Sequence, residues 1–257
     1  MEKRGIKESK DFALAMQGVV QKKGQLSKDE KQNMDSGLNT EQILNMLLAR
    51  AQKSFPATQG NIQSASNGVD VKSLLLTSCY PGEGKTFASI CLARSLAEQA
   101  GAKVLLLDGN FCAPKLHEFF SLPREPGLYE VLTNNSTSLE SVLQETEVPN
   151  LSILTCGAVQ DGKSKFLHGA HLGEKINELR ASFDYLIFDG TAAFGDSAAF
   201  MNAKYFDAVL LLLECERTKI EVARLIKDRI ARSGGNLLGV ILNKRKFYIP
   251  RFLYRKV

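Results

Sequence analysis

No apolar run in this chain approaches the length that crosses a bilayer, and the opening residues MEKRGIKESKDF lack the apolar core of a secretory signal. Both absences point to a cytoplasmic protein without a membrane span. Cysteine is sparse: five residues, at 79, 91, 112, 156 and 215, with no C-x-x-C spacing. That pattern argues against structural zinc or a disulfide framework and leads us to expect small buried thiols. Acidic residues are missing from the final stretch, KRKFYIPRFLYRKV, which carries six bases and much of the net charge of +5. Such an end suits an anionic membrane surface, an acidic partner or plain solvation. No nucleic-acid partner is expected.

What is present divides into three parts. Residues 1–69 are polar at first and then carry Ile43, Leu44, Leu47 and Leu48 at helical spacing, ahead of a polar linker. They read as a mobile leader, a helix and a linker. Residues 70–243 change texture. Short apolar runs stand at 74–76, 104–107, 151–154, 185–188, 209–213 and 240–242, without clean polar alternation. Strands covered on both faces read this way, and so predict a parallel sheet. Helical segments are expected at 85–100, 172–181, 197–204 and 220–233. Alternating strands and helices specify a doubly wound, mostly parallel α/β domain preceded by an N-terminal helical arm. Residues 244–257 form a basic aromatic tail.

The stretch Ser78-Cys79-Tyr80-Pro81-Gly82-Glu83-Gly84-Lys85-Thr86 follows the first strand and opens a helix. It matches the phosphate-gripping pattern G-x-x-x-x-G-K-[ST], except that Cys79 stands where the first glycine should be. Such a loop presents main-chain N–H groups to phosphate oxygens at a helix N-terminus. Gly82 and Gly84 let the backbone turn, and Pro81 stiffens the approach. Lys85 is placed to neutralise β- and γ-phosphate charge, and the Thr86 hydroxyl to ligate Mg²⁺. Glu83, counted with the nucleotide-binding residues of the loop, is expected to face solvent. Two later apolar strands end in carboxylates, Asp108 and Asp189. In an open parallel sheet such ends meet at the ligand crevice, so loop and acids converge on one Mg²⁺–nucleotide site.

These residues resemble the bacterial tyrosine kinases of capsule and exopolysaccharide synthesis (the CpsD/CapB type), within the MinD/ParA group of P-loop ATPases. In that family the loop reads S-x-x-P-G-x-G-K-[ST], with no glycine expected at the Cys79 position. Its second motif, D-x-D followed by a basic pair and P-x-x-H-x-x-F, is matched by Asp108, Pro114, His117 and Phe120. Asn110 replaces the second acid, and Cys112-Ala113 the basic pair. Of the third motif, D-T-P-P, only Asp189 remains, followed by Gly190-Thr191-Ala192. The last strand, 239–243, ends in Asn243, to which the resemblance assigns the adenine edge. The arginines of the family's assembly motif E-x-x-R-x-x-R are replaced by Leu44 and Leu47. The usual tyrosine cluster is reduced to Tyr248 and Tyr254, the phosphoacceptor candidates.

The resemblance implies an ATP-dependent protein tyrosine autokinase acting in polysaccharide polymerisation or export. Lys85, Asp108 and Asp189 are its catalytic candidates, and Thr86, Asp108 and Asp189 its Mg²⁺ ligands. It also implies a transmembrane co-polymerase or activator, a homo-oligomer, and residence at the inner face of the cell membrane. Asn110 and the sparse tail keep two alternatives open: a non-kinase ATPase switch and an ATP-binding regulator without turnover. His117 and His168 are read as structural or surface residues. Tyr248 and Tyr254 also have a plainer reading, in which the tail's aromatic residues simply dock on the domain.

Overall fold

The apolar runs assemble into a seven-stranded sheet. The computed structural model describes residue 62 and residues 70–134, 136–159, 170–194 and 197–244. The leader helix, the Leu44 and Leu47 positions, His168, Tyr248 and Tyr254 lie outside these residues.

In chain order the strands are β1 (Ser73–Ser78), β2 (Val104–Asp108), β3 (Gln144–Glu145), β4 (Leu151–Leu154), β5 (Tyr185–Ala192), β6 (Ala208–Glu214) and β7 (Leu237–Asn243). The spatial order is β3-β4-β2-β5-β1-β6-β7. All neighbours pair in parallel except the short edge strand β3, which runs antiparallel to β4. The helices are α1 (Lys85–Ala100), α2 (Leu116–Phe120), α3 (Leu128–Thr133), α4 (Ala170–Leu179), α5 (Ala198–Met201) and α6 (Ile220–Arg232). The segment expected as one helix at 197–204 is instead the single turn of α5 followed by a 3₁₀ turn at Ala203–Tyr205.

Strand alternation divides the apolar side chains into two cores. Leu74, Leu76, Val104, Leu106, Ile187 and Leu210 face α1. Leu75, Leu105, Leu107, Leu186, Phe188 and Leu211 face α3, α4 and α6. Each buried leucine contributes about 1.5–3 kcal/mol, so covering both faces is the main stabilising term. Helix α1 is buried over much of its circumference: Ala88, Ile90, Cys91, Leu92, Ala93, Ser95, Leu96 and Ala97 are all buried. It ends at Gly101, whose φ of 63° lets its N–H reach back to the Leu96 carbonyl.

Strand β5 runs past its expected end at Asp189 to Ala192. Two side contacts extend it. The Thr77 hydroxyl donates to the Thr191 carbonyl at 2.8 Å, and the Ala193 N–H donates to the Ser78 carbonyl at 2.7 Å. At the opposite end of the sheet, Asp207 accepts from the Lys72 and Ser73 N–H groups and pairs with Arg180 at 2.9 Å.

Candidate functional site: a phosphate loop facing two buried acids

The three elements that carry the site are contiguous: β2, β5 and β1 lie side by side. Asp108 and Asp189 are register partners on β2 and β5. Alternation sends both towards α1, because the residues two before them, Leu106 and Ile187, belong to the α1 core. Two carboxyls therefore sit beside each other under the start of α1.

Both are fully buried. Asp189 accepts from the Thr86 hydroxyl at 2.6 Å and from the Ser89 hydroxyl at 3.2 Å. Asp108 accepts from the N–H groups of Lys115 and Leu116, both at 3.0 Å, and from that of Asn110 at 3.3 Å. Burial pushes the Asp108 carboxyl up to about 7, with the neighbouring Asp189 charge adding to it and the three N–H groups opposing. Burial pushes Asp189 up to about 6, against the pull of Thr86, Lys85 and Ser89.

The loop between β1 and α1 turns through two glycines with positive φ, Gly82 at 79° and Gly84 at 97°. A Cβ on Gly84 would lie 2.3 Å from the Asn243 amide nitrogen. Among the described residues nothing accepts from the main-chain N–H groups of residues 82–87. The Lys85 side chain is only 7% exposed, and no described residue takes a hydrogen bond or ion pair from its ammonium. Burial lowers its affinity for the proton, partly offset by Asp189 and Glu83. A row of unanswered amides beside a desolvated ammonium fits an anion with several oxygens. The donor set also fits Mg²⁺: hydroxyl and carboxylate oxygens, with no cluster of three His, Cys, Asp or Glu side chains among the described residues. Mg²⁺ commonly takes one or two carboxylates and completes its shell with water and phosphate.

The missing glycine is explained by the backbone. Cys79 is not among the described residues with positive φ, so a Cβ is tolerated there. Its side chain is fully buried in the core on the α3–α4–α6 face. Cys91 and Cys156 are buried as expected, but Cys112 is exposed and Cys215 half-buried, which corrects the expectation of uniformly buried thiols.

Glu83 is a second correction. It does not face solvent; its side chain is fully buried. It turns inward because three donors meet it: the Tyr80 N–H at 2.9 Å, the Glu214 N–H at 3.3 Å and the Thr218 hydroxyl. The structure also brings Asn243 to the loop, where its amide donates to the Glu83 carbonyl at 2.6 Å and its oxygen accepts from the Lys244 N–H at 2.7 Å. The Asn110 side chain closes its own turn, donating to the Ala113 carbonyl at 2.9 Å. His117 lies half-buried on α2, and its buried Nδ1 has no hydrogen-bond partner among the described residues.

Sequence reasoning missed Ser89, Glu214 and the part Lys244 plays. Ser89 had a legible signal, since it lies one turn after Lys85 on the helix face that meets the sheet. Glu214 ends β6 and Lys244 directly follows the adjacent β7, and only the β6–β7 pairing brings them to the loop.

Residues 76–232 match the family described as AAA domain. The chain is 30% identical over 192 residues to a putative tyrosine-protein kinase CapB from Staphylococcus aureus, covering 75% of this chain and 83% of that one. It is 34% identical over 212 residues to the tyrosine-protein kinase CpsD from Streptococcus agalactiae, covering 79% and 88%. The kinase domain of the Escherichia coli tyrosine kinase ETK superposes with a TM-score of 0.77 at 21% identity, over 95% of this chain and 97% of that chain.

Proposed function

The chain belongs to the bacterial tyrosine-protein kinase family, and we propose that it is an ATP-dependent protein tyrosine autokinase regulating capsule or exopolysaccharide polymerisation or export. The observation that carries the ATP reading is the unanswered amide row beside the buried Lys85 ammonium, facing two register-paired acids. The kinase reading rests on the relatives' names.

In this reading the loop amides and Lys85 grip the β- and γ-phosphates. Thr86 and Asp189, joined at 2.6 Å, would hold Mg²⁺ together with Asp108. A bound Mg²⁺ supplies charge neutralisation at the phosphate oxygens. The acceptor tyrosine attacks the γ-phosphorus, ADP leaves, and Asp108 takes the phenolic proton. The family resemblance assigns the adenine edge to Asn243, whose amide bonds the Glu83 carbonyl. Tyr248 and Tyr254 of a neighbouring copy are the acceptors. A transmembrane activator and an anionic membrane surface for the basic tail complete the proposal.

Asn110 favours a second reading, an ATPase switch without tyrosine transfer, because an amide tied to Ala113 cannot take a proton.

The test compares wild type with Lys85→Met, supplied with labelled ATP. Wild type should accumulate phosphotyrosine at Tyr248 or Tyr254, with a loss of at least about a hundredfold in the variant, as expected when a phosphate-binding charge is removed. Phosphate release without labelled tyrosine would establish the switch instead.

A further inference from the structure

The phosphate loop offers its amides only if its peptide planes are turned the right way, and two side chains outside the cradle grip those planes. The Gly82 carbonyl accepts from the Lys244 ammonium at 2.8 Å. The Glu83 carbonyl accepts from the Asn243 amide at 2.6 Å. In a trans peptide the C=O and the following N–H point in opposite directions. Drawing both carbonyls towards the end of β7 therefore turns the N–H groups of Glu83 and Gly84 the other way. The Glu83 carboxylate holds the loop from inside, on Tyr80, Glu214 and Thr218.

Lys244 stands out within this brace. Its ammonium bridges the Gly82 carbonyl and the Glu214 carboxylate, which lies at 2.9 Å. Glu214 also pairs with Arg217 at 2.9 Å. Lys244 adopts a φ of 56°, a left-handed conformation that a lysine enters only at a cost of roughly 1–2 kcal/mol. In this left-handed turn the side chain reaches back over the loop. The Asn243 oxygen holds the turn through the Lys244 N–H. A strained backbone and a two-way ammonium bridge are independent signs that this lysine is placed for the loop.

We propose that Lys244 is a positioning residue for phosphate binding: its bond to the Gly82 carbonyl, anchored by Glu214, turns the loop amides into the nucleotide site. The inference rests on the nucleotide reading above. It adds that phosphate grip depends on a residue that touches no phosphate and from which the tail bearing Tyr248 and Tyr254 departs.

Calorimetric titration with Mg²⁺ and ADP tests this on the full chain, using wild type, Lys244→Met and Lys244→Arg. Methionine keeps the aliphatic stem and removes the donor; arginine restores charge and donor. Losing a charge-assisted hydrogen bond that sets the loop should weaken ADP about tenfold in Lys244→Met, and arginine should recover most of it. In turnover the methionine variant should raise KM for ATP with kcat little changed, because the phosphate grip is common to ground and transition states. A merely structural role would move the melting temperature of the ligand-free protein and leave that split unmade. Equal ADP affinity in wild type and Lys244→Met overturns the proposal, as does an affinity that arginine fails to recover. No ADP uptake by wild type would instead sink the nucleotide reading itself.

Discussion

Single residues carry the electrostatic signature of this site. Asp108 and Asp189 are buried acids whose ionised forms are costly until a cation arrives. A carboxyl whose folded value lies above its unfolded one binds its proton more tightly in the fold. Stability therefore falls as pH rises from the unfolded value, near 4, to the folded value of about 7, and the penalty is complete above that. Asp108→Asn removes the ionisation and leaves an oxygen for the Lys115 and Leu116 N–H groups. The ligand-free variant should outlast wild type in urea at pH 8 by on the order of 4 kcal/mol and match it near pH 4. Identical midpoints for the two proteins at pH 8 would mean that Asp108 ionises without cost. Both acids were legible in the sequence, as carboxylates closing apolar strands. The burial of Glu83 was not, because its three donors come from its own loop, from the end of β6 and from the turn after it.

Elements decide which residues can face one another. The six apolar runs read as strands are strands, and their parity places Asp108 and Asp189 on the α1 side. Two glycines keep those strands close to their surroundings. A Cβ on Gly109 would fall 1.9 Å from the Phe188 ring, and one on Gly190 would meet Leu75 at 2.7 Å. Gly109→Ala should therefore push the segment after β2 away from β5, costing roughly 2–4 kcal/mol, readable as a lowered denaturation midpoint. A neutral Gly109→Ala would show that Phe188 yields freely. The extension of β5 to Ala192 escaped the apolar pattern, since Gly190 and Thr191 do not read as core residues. Neighbouring strand β1 and the residues that follow β5 supply the bonds that carry it on. The short elements α2, α3 and β3 left no periodic signal, being one or two turns or a single pair of residues long.

The molecule as a whole joins three strand ends into one site, so a ligand there should hold the sheet's carboxyl edge together. It binds the folded state and finds no site in the unfolded chain. At a concentration a hundred times its dissociation constant, Mg²⁺-ADP should add about 2.7 kcal/mol of stability. For a domain of this size that is a rise of roughly 5–10 °C in Tm, measurable by differential scanning calorimetry. An unmoved Tm at saturating nucleotide would show that the strand ends and the loop do not share a ligand.

The sequence by itself determined the doubly wound plan, the loop, and the two acids. These are local facts: an apolar run, a glycine pair, and a carboxylate where a strand stops. Tertiary structure alone decided which side chains turn the loop's peptide planes. Glu214 and Lys244 stand 30 residues apart, and Lys244 reaches Gly82 across a separation of 162. Their meeting depends on β7 pairing with β6 and on a left-handed turn at its end. A loop's glycines permit many backbone orientations, and long-range hydrogen bonds select the one whose amides can receive an anion.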